Sequence, residues 1–426
     1  MKKVMLSAIV APLLLGSFAT SASADGINIL SNLKAKGEIR PRYETVNVDG
    51  SKLSDAQAYT VRTKLSVSGD LLDVEGLSAN VGVISVNNFG SDKYNDGSAT
   101  GNTLYEKVVD PQKAILANAE INYKTGATLL HAGRGQVNLD NQRFIGTVGW
   151  RQLERSYDSV FVANNSIQNL SVLAAWVYGY QGVGAGATAD TNTVLLHAVY
   201  KVNNMLNITA YDYMISNVHD TIGVALTGKA DVSGIKLNYR AEYATQNDAS
   251  MDIHNLNDTN GTVGIPGTKG QADADYYNLD LGANMNGILA GVNYEFLSGA
   301  NASGTETAFS TPLATGHKFN GWADKFLATP TGGLEDFNVR LGYKAKGFGK
   351  LLAVYHNFTA DVAMTAGTGT SDDLGSEFDA LYANAIPGVN NLSGLIKAAW
   401  YSNGKVTNYT KDVTKVWAQL DYKFSM

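Results

Sequence analysis

Residues 33–44 constrain the fold more than any other stretch of the chain. Leu33, Ala35, Gly37, Ile39, Pro41 and Tyr43 alternate with Lys34, Lys36, Glu38, Arg40, Arg42 and Glu44. A two-residue period places successive side chains on opposite faces of a strand, so one face is apolar and the other carries only charges. The charged face must meet water, either outside a soluble sandwich or inside a water-filled barrel.

The same division recurs along the chain. Tyr59, Val61, Thr63, Leu65 and Val67 oppose Thr60, Arg62, Lys64, Ser66 and Ser68. Later, Ile235, Leu237 and Tyr239 oppose Lys236, Asn238 and Arg240, and Phe337, Val339 and Leu341 oppose Asn338 and Arg340. Near the end, Val416, Ala418, Leu420, Tyr422 and Phe424 oppose Lys415, Gln419, Asp421 and Lys423. Eighteen such segments are expected, near 33–46, 57–69, 75–89, 113–124, 127–135, 156–165, 169–180, 191–202, 204–216, 219–228, 234–246, 274–284, 287–299, 336–345, 348–360, 375–386, 389–402 and 412–424. The segments 156–165 and 219–228 alternate poorly.

Connections decide between sandwich and barrel. Short turns such as 124–126, 202–204, 284–287 and 345–348 take turns with long connections at 90–112, 136–155, 247–273 and 300–335. Short turns at one rim and long loops at the other are the asymmetry of an outer-membrane barrel, with the short set periplasmic. The 216–219 connection is the exception, being short where a loop is expected. The predicted class is therefore all-β, a transmembrane antiparallel β-barrel of about 18 strands, with 16 as the alternative count.

A mean hydropathy of -0.11 is low for a bundle of membrane helices but normal for a barrel, whose inward residues are free to be polar. Lys2 and Lys3, the apolar run 4–18 and Ala22-Ser23-Ala24 predict a cleaved signal peptide over 1–24. One domain over 25–426 follows, carrying an inward-folding loop at about 135–156 and exported to the outer membrane of a Gram-negative bacterium. Its expected partners are outer-membrane lipid and lipopolysaccharide and the outer-membrane assembly machinery. The chain holds no cysteine, which removes disulfides and thiolate chemistry, and its formal net charge of -6 argues against nucleic acid as a partner.

Enzyme and metal motifs are absent or incomplete. The histidines show neither HExxH spacing nor a nearby GxSxG nucleophile. Residues 223–230 approach a phosphate-binding loop but place Ala230 where a magnesium-binding hydroxyl belongs, and 255–261 approach a calcium loop but place Leu256 at a ligand position. No cofactor and no metal are expected, and the chain is not read as an enzyme.

The non-repeating stretch 133–158 gathers Arg134, Arg143, Arg151 and Arg155 between regular strands. A loop there, on the long-loop rim, can fold inward and narrow the bore. These four arginines are the candidates for a constriction that binds solute, with Arg155 also able to pair with Glu154 or Asp158. Closure would gather Arg40, Arg42, Arg62 and Lys64 on one wall, with Arg240 and Arg340 further round. Such a wall either favours anions or is neutralised by neighbouring carboxylates. Both readings stay open.

The segments Asn141 to Gly146, Gly149 to Gln152 and Asp158, following Arg134, resemble the alginate-export family of outer-membrane barrels and related porins. His317 to Phe326, reading His-Lys-Phe-Asn-Gly-Trp-Ala-Asp-Lys-Phe, carries a second resemblance. Gly135 departs from the family pattern by separating Arg134 from Gln136. The resemblance implies an eighteen-stranded channel with an arginine-rich interior that passes an anionic substrate. The expected function is passage of small hydrophilic anionic solutes, with export of an anionic, alginate-like polysaccharide as the alternative and a barrel enzyme or adhesin behind both.

Overall fold

The computed structural model describes residues 23–24, 27–98, 101–184, 188–251, 271–300 and 306–426. The signal peptide expected over 1–24 lies almost wholly outside the described residues, and the acidic 255–261 stretch lies entirely outside them.

Eighteen strands close into an antiparallel barrel. They are β1 (Leu30–Val48), β2 (Ala56–Leu71), β3 (Leu77–Asn87), β4 (Lys113–Thr125), β5 (Thr128–Gly135), β6 (Ser156–Asn164), β7 (Leu170–Gln181), β8 (Thr188–Lys201) and β9 (Asn207–Ile215). The second half comprises β10 (His219–Val232), β11 (Ile235–Asn247), β12 (Gln271–Met285), β13 (Ile288–Leu297), β14 (Leu334–Ala345), β15 (Gly349–Ala366), β16 (Gly369–Ala385), β17 (Leu392–Ser402) and β18 (Val413–Ser425). Each expected strand segment coincides with one of these. Closure is made by β18 on β1, and it continues past Phe424, because Met426 and Ala35 exchange backbone hydrogen bonds at 2.9 Å in both directions. A barrel has no free strand edge, so every interior backbone group finds a partner within the wall.

The alternation resolves as charge inward and hydrocarbon outward. Ile39, Tyr59, Leu279, Leu341 and Ile396 are exposed on the outer face, while Arg40, Arg42, Glu44 and Arg62 are buried inside. The aromatic residues Tyr123, Trp176, Tyr178, Tyr200 and Trp400 are exposed among the outward side chains, as expected of an interfacial belt. The two poorly alternating segments have separate causes. In β6 the register shifts between Asp158 and Ser159, which resets the phase. In β10 the inward positions are small, with Thr221 and Ala225 buried and Gly223 against the Tyr211 ring, so the contrast between faces is weak.

One rim carries short turns, and the other carries, besides short turns at 216–218 and 367–368, loops that turn back into the barrel. Residues 88–112, 136–155 and 298–333 supply the buried Tyr94, Val108, Ile145, Leu153, Phe309 and Leu313. The interior is therefore packed at the level of these loops, with one cluster joining Phe144, Tyr211, Tyr213, Tyr276 and Phe309.

Candidate functional site

Two loops meet inside the barrel and form a bridge across it. Gly146 N donates to Leu313 O at 2.9 Å and Thr315 N donates to Gln142 O at 3.0 Å, so 136–155 and 298–333 pair through their backbones. Trp150 then stacks on His317, with ring centroids 4.7 Å apart and planes 6° apart. Gly321, with φ +83, brings the tip so close to the Glu377 carboxylate that an added Cβ would lie 2.4 Å from it. Only glycine accepts that conformation and that approach together.

The arginines pin this bridge to the wall. Arg151 reaches Glu44 of β1 at 3.1 Å and Asp324 at 2.9 Å, and Arg143 reaches Glu295 of β13 at 2.7 Å. Both guanidinium groups are buried. Burial alone would lower the Arg151 pKa, but the facing Glu44 and Asp324 carboxylates outweigh it and raise it, so the charge is fixed. Glu154 bonds Lys64 at 2.7 Å and Arg62 at 2.8 Å, and Gln136 donates to the same carboxylate. Burial would raise the Glu154 pKa, but Arg62 and Lys64 prevail and lower it.

Two sequence expectations are corrected here. Arg134 does not face the lumen: its register partner Ala119 lies on the same face as the outward Ile121, Leu130 and Val160, and its guanidinium holds Asp158 at 2.6 Å on the outer side of the wall. Arg155 pairs with neither Glu154 nor Asp158. Its Nη2 donates to Pro312 O at 3.2 Å and its Nη1 to Gly146 O at 3.4 Å, so it binds one loop to the other.

The wall residues Arg40, Arg42, Arg62 and Lys64 do gather inside. Arg40 and Arg62 stand directly opposite in the β1–β2 register, where like charges repel, and Glu38 lies between them at 3.0 and 2.8 Å. Arg42 packs 4.3 Å over the Trp150 ring and lies 3.6 Å from Asp110 of the 88–112 loop. Further round, Arg240 holds Glu242 at 2.7 Å and Arg340 holds Asp280 at 2.6 Å.

Sequence reasoning missed the centre of the bridge. The Lys397 ammonium of β17 lies 3.8 Å from the Trp322 ring centroid, 4.2 Å from Trp150 and 5.3 Å from Trp417. It also contacts His317 Nε2 at 2.7 Å, while His317 Nδ1 lies 2.6 Å from Asp324. With Lys397 donating to Nε2, the imidazole is neutral and its Nδ1–H donates to Asp324. Burial pushes the His317 pKa down to about 3, with Asp324 opposing and Lys397 assisting, so this tautomer persists across the neutral range. The one available signal was the His317 to Phe326 motif, which the family resemblance had marked.

Water-accessible spaces remain beside the bridge. One, of about 680 Å³, opens toward the short-turn rim and is lined by Lys36, Glu38, Lys64, Glu120 and Lys423. Another, of about 360 Å³, lies beneath the 298–333 tip between β11 and β15. Among the described residues there is no group of three or more His, Asp or Glu side chains placed to hold a metal ion.

The barrel has solved counterparts. Acinetobacter baumannii OccAB4 superposes with a TM-score of 0.69 at 15% identity, covering 93% of this chain and 99% of that one. Pseudomonas aeruginosa OccK8 (OprE) gives a TM-score of 0.68 at 15% identity over 93% and 99%, and OccK2 (OpdF) gives 0.69 at 13% over the same shares. At this identity the likeness establishes the fold, which spans almost the whole of both chains. No protein-family model matches the chain, and no curated protein matches it. The likeness to alginate-export barrels accordingly stands on its motif residues alone.

Proposed function

We propose that the protein is an outer-membrane channel through which small hydrophilic solutes pass by diffusion, with a preference for anions. The observation that carries this reading is a closed barrel, apolar outside and charged inside, crossed by a bridge that leaves polar spaces rather than a sealed core. An apolar outer band needs lipid, and a charged inner wall needs water. The short-turn rim is then periplasmic and the looped rim extracellular.

Selectivity resides where charges meet water. Most interior arginines are spent on carboxylates, and Lys64 on Glu154, whereas the short-turn mouth presents Lys36 and Lys423 against Glu120, its Glu38 being held by Arg40 and Arg62. A modest surplus of cations in a narrow mouth lowers the barrier for anions without trapping them. No bond is made or broken. A bridge pinned at both ends favours small solutes over a threaded polysaccharide.

Reconstitution in planar bilayers tests the reading. A reversal potential of anion-selective sign in a potassium chloride gradient is expected. Cation selectivity would reject the anion preference, and folded protein without conductance would reject the channel.

A further inference from the structure

The 360 Å³ space beneath the bridge differs in chemistry from the lysine-bearing mouth. Its floor is a cross-strand row in which Arg240 faces Asp280, Asp280 faces Asn293, Asn293 faces Asn338, and Asn338 faces His356. Its arginines are already satisfied, Arg340 by Asp280 and Arg240 by Glu242, while His356 Nδ1 lies 2.9 Å from Asp336 and Lys318 donates to Asn141 O at 2.8 Å. Gly291 lets Arg340 make its bond, since a Cβ there would lie 2.7 Å from the guanidinium. At either arginine an entering anion would have to displace a carboxylate that is already in place, at the cost of leaving it unpaired.

What the space offers freely is amide. Asn278 forms no side-chain hydrogen bond among the described residues, and Asn338 donates to Asn293 and Asp336 while its own Oδ1 accepts none. An amide presents a donor and an acceptor side by side, which matches a pair of vicinal hydroxyls. Above the row, Phe319 and Trp322 line the same space, each with a cation already on the ring: Arg143 at 4.9 Å and Lys397 at 3.8 Å respectively. Aromatic surface facing paired polar groups is the arrangement that accepts a ring with an apolar C–H face and a polar rim.

We infer that this space is a binding site for a neutral polyhydroxylated ring solute, a monosaccharide or disaccharide, held by Asn278 and Asn338 against Phe319 and Trp322. Its volume, near the small end of ligand pockets, suits about one or two sugar rings. The inference rests on the channel reading and specifies one solute class for it, separate from the anion preference of the mouth.

The test uses the full-length protein in planar bilayers with glucose, maltose and gluconate as probes. Maltose is expected to block the current reversibly, and the concentration for half-block should rise about tenfold or more when Asn278→Leu is combined with Asn338→Leu. Lys423→Gln, in the other space, should retain the maltose block. A conducting channel indifferent to glucose and maltose would overturn the inference and leave the channel reading standing. Equal block in the asparagine variant, or block by gluconate alone, would overturn it too. If folded protein conducts no current, the channel reading falls, and titration calorimetry of the detergent-solubilised protein with maltose decides the site: heat lost in the asparagine variant supports it, and no heat in the wild type overturns it.

Discussion

The bridge and the short-turn mouth hold the same kind of charge in opposite circumstances. Arg143 and Arg151 are buried, each facing a carboxylate within 3.1 Å, whereas Lys36 and Lys423 border an open space. A buried pair contributes geometry, because breaking it strands an ion without solvent. An open lysine contributes field to a passing solute and little to the fold. An arginine count along the lumen therefore says little about selectivity until each partner is known.

The strongest way to break this contrast is Arg151→Ala. It leaves Glu44 and Asp324 facing each other's neighbourhood without their shared cation, a local cost of about 3–5 kcal/mol. The expected outcome is release of the bridge, seen as raised single-channel conductance and as new protease cleavage between 136 and 155 or between 298 and 333. Unchanged conductance and cleavage would mean that Arg151 does not hold the bridge.

Acid should act in the same direction through His317. Its folded pKa, about 3, lies below the ordinary histidine value, so the unfolded or released loop binds the proton more readily. The stabilising contribution is complete above pH 6.5 and is lost as pH falls from there toward 3. Asp324, whose carboxyl burial would raise but His317 and Lys415 hold well below the usual range, adds to the loss at the acid end. Conductance should rise across that window, and a flat profile would show that the His317 contacts do not fasten the tip.

Selectivity should answer to the mouth instead. Replacing Lys36 and Lys423 by Gln together is expected to move the reversal potential toward zero, with the bridge still resistant to protease. The smallest effect belongs to Arg134→Ala. Its ion pair with Asp158 lies on the outer wall, so selectivity should not change and stability should fall by about 1 kcal/mol or less, read from the unfolding midpoint in denaturant.

The wall was legible from sequence because a period of two is local. Residues 33–44 already state which side of β1 is wet, and the rims follow from counting connections. The phase of β5 was not legible: Leu129 and Leu130 are adjacent, and Gly133 and Gly135 carry no side chain to mark a face, so Arg134 could not be assigned. The loops were legible as loops but not as a bridge. Arg143 meets Glu295 across 152 residues and Arg151 meets Asp324 across 173, and no local pattern encodes such a pairing. The interior charge balance was not legible for the same reason, since Asp110, Glu154 and Asp324 arrive from loops and Asp336 lies at the very start of β14.

The indole box around Lys397 makes the molecule report optically on itself. Trp150, Trp322 and Trp417 surround one ammonium, whereas Trp176 and Trp400, which complete the five tryptophans of the chain, look outward from the wall. Two of the three boxed rings ride on the loops and one on β18. Any withdrawal of the loops from the lumen wets all three together and leaves the outer pair untouched, so intrinsic fluorescence reads the bridge without a label.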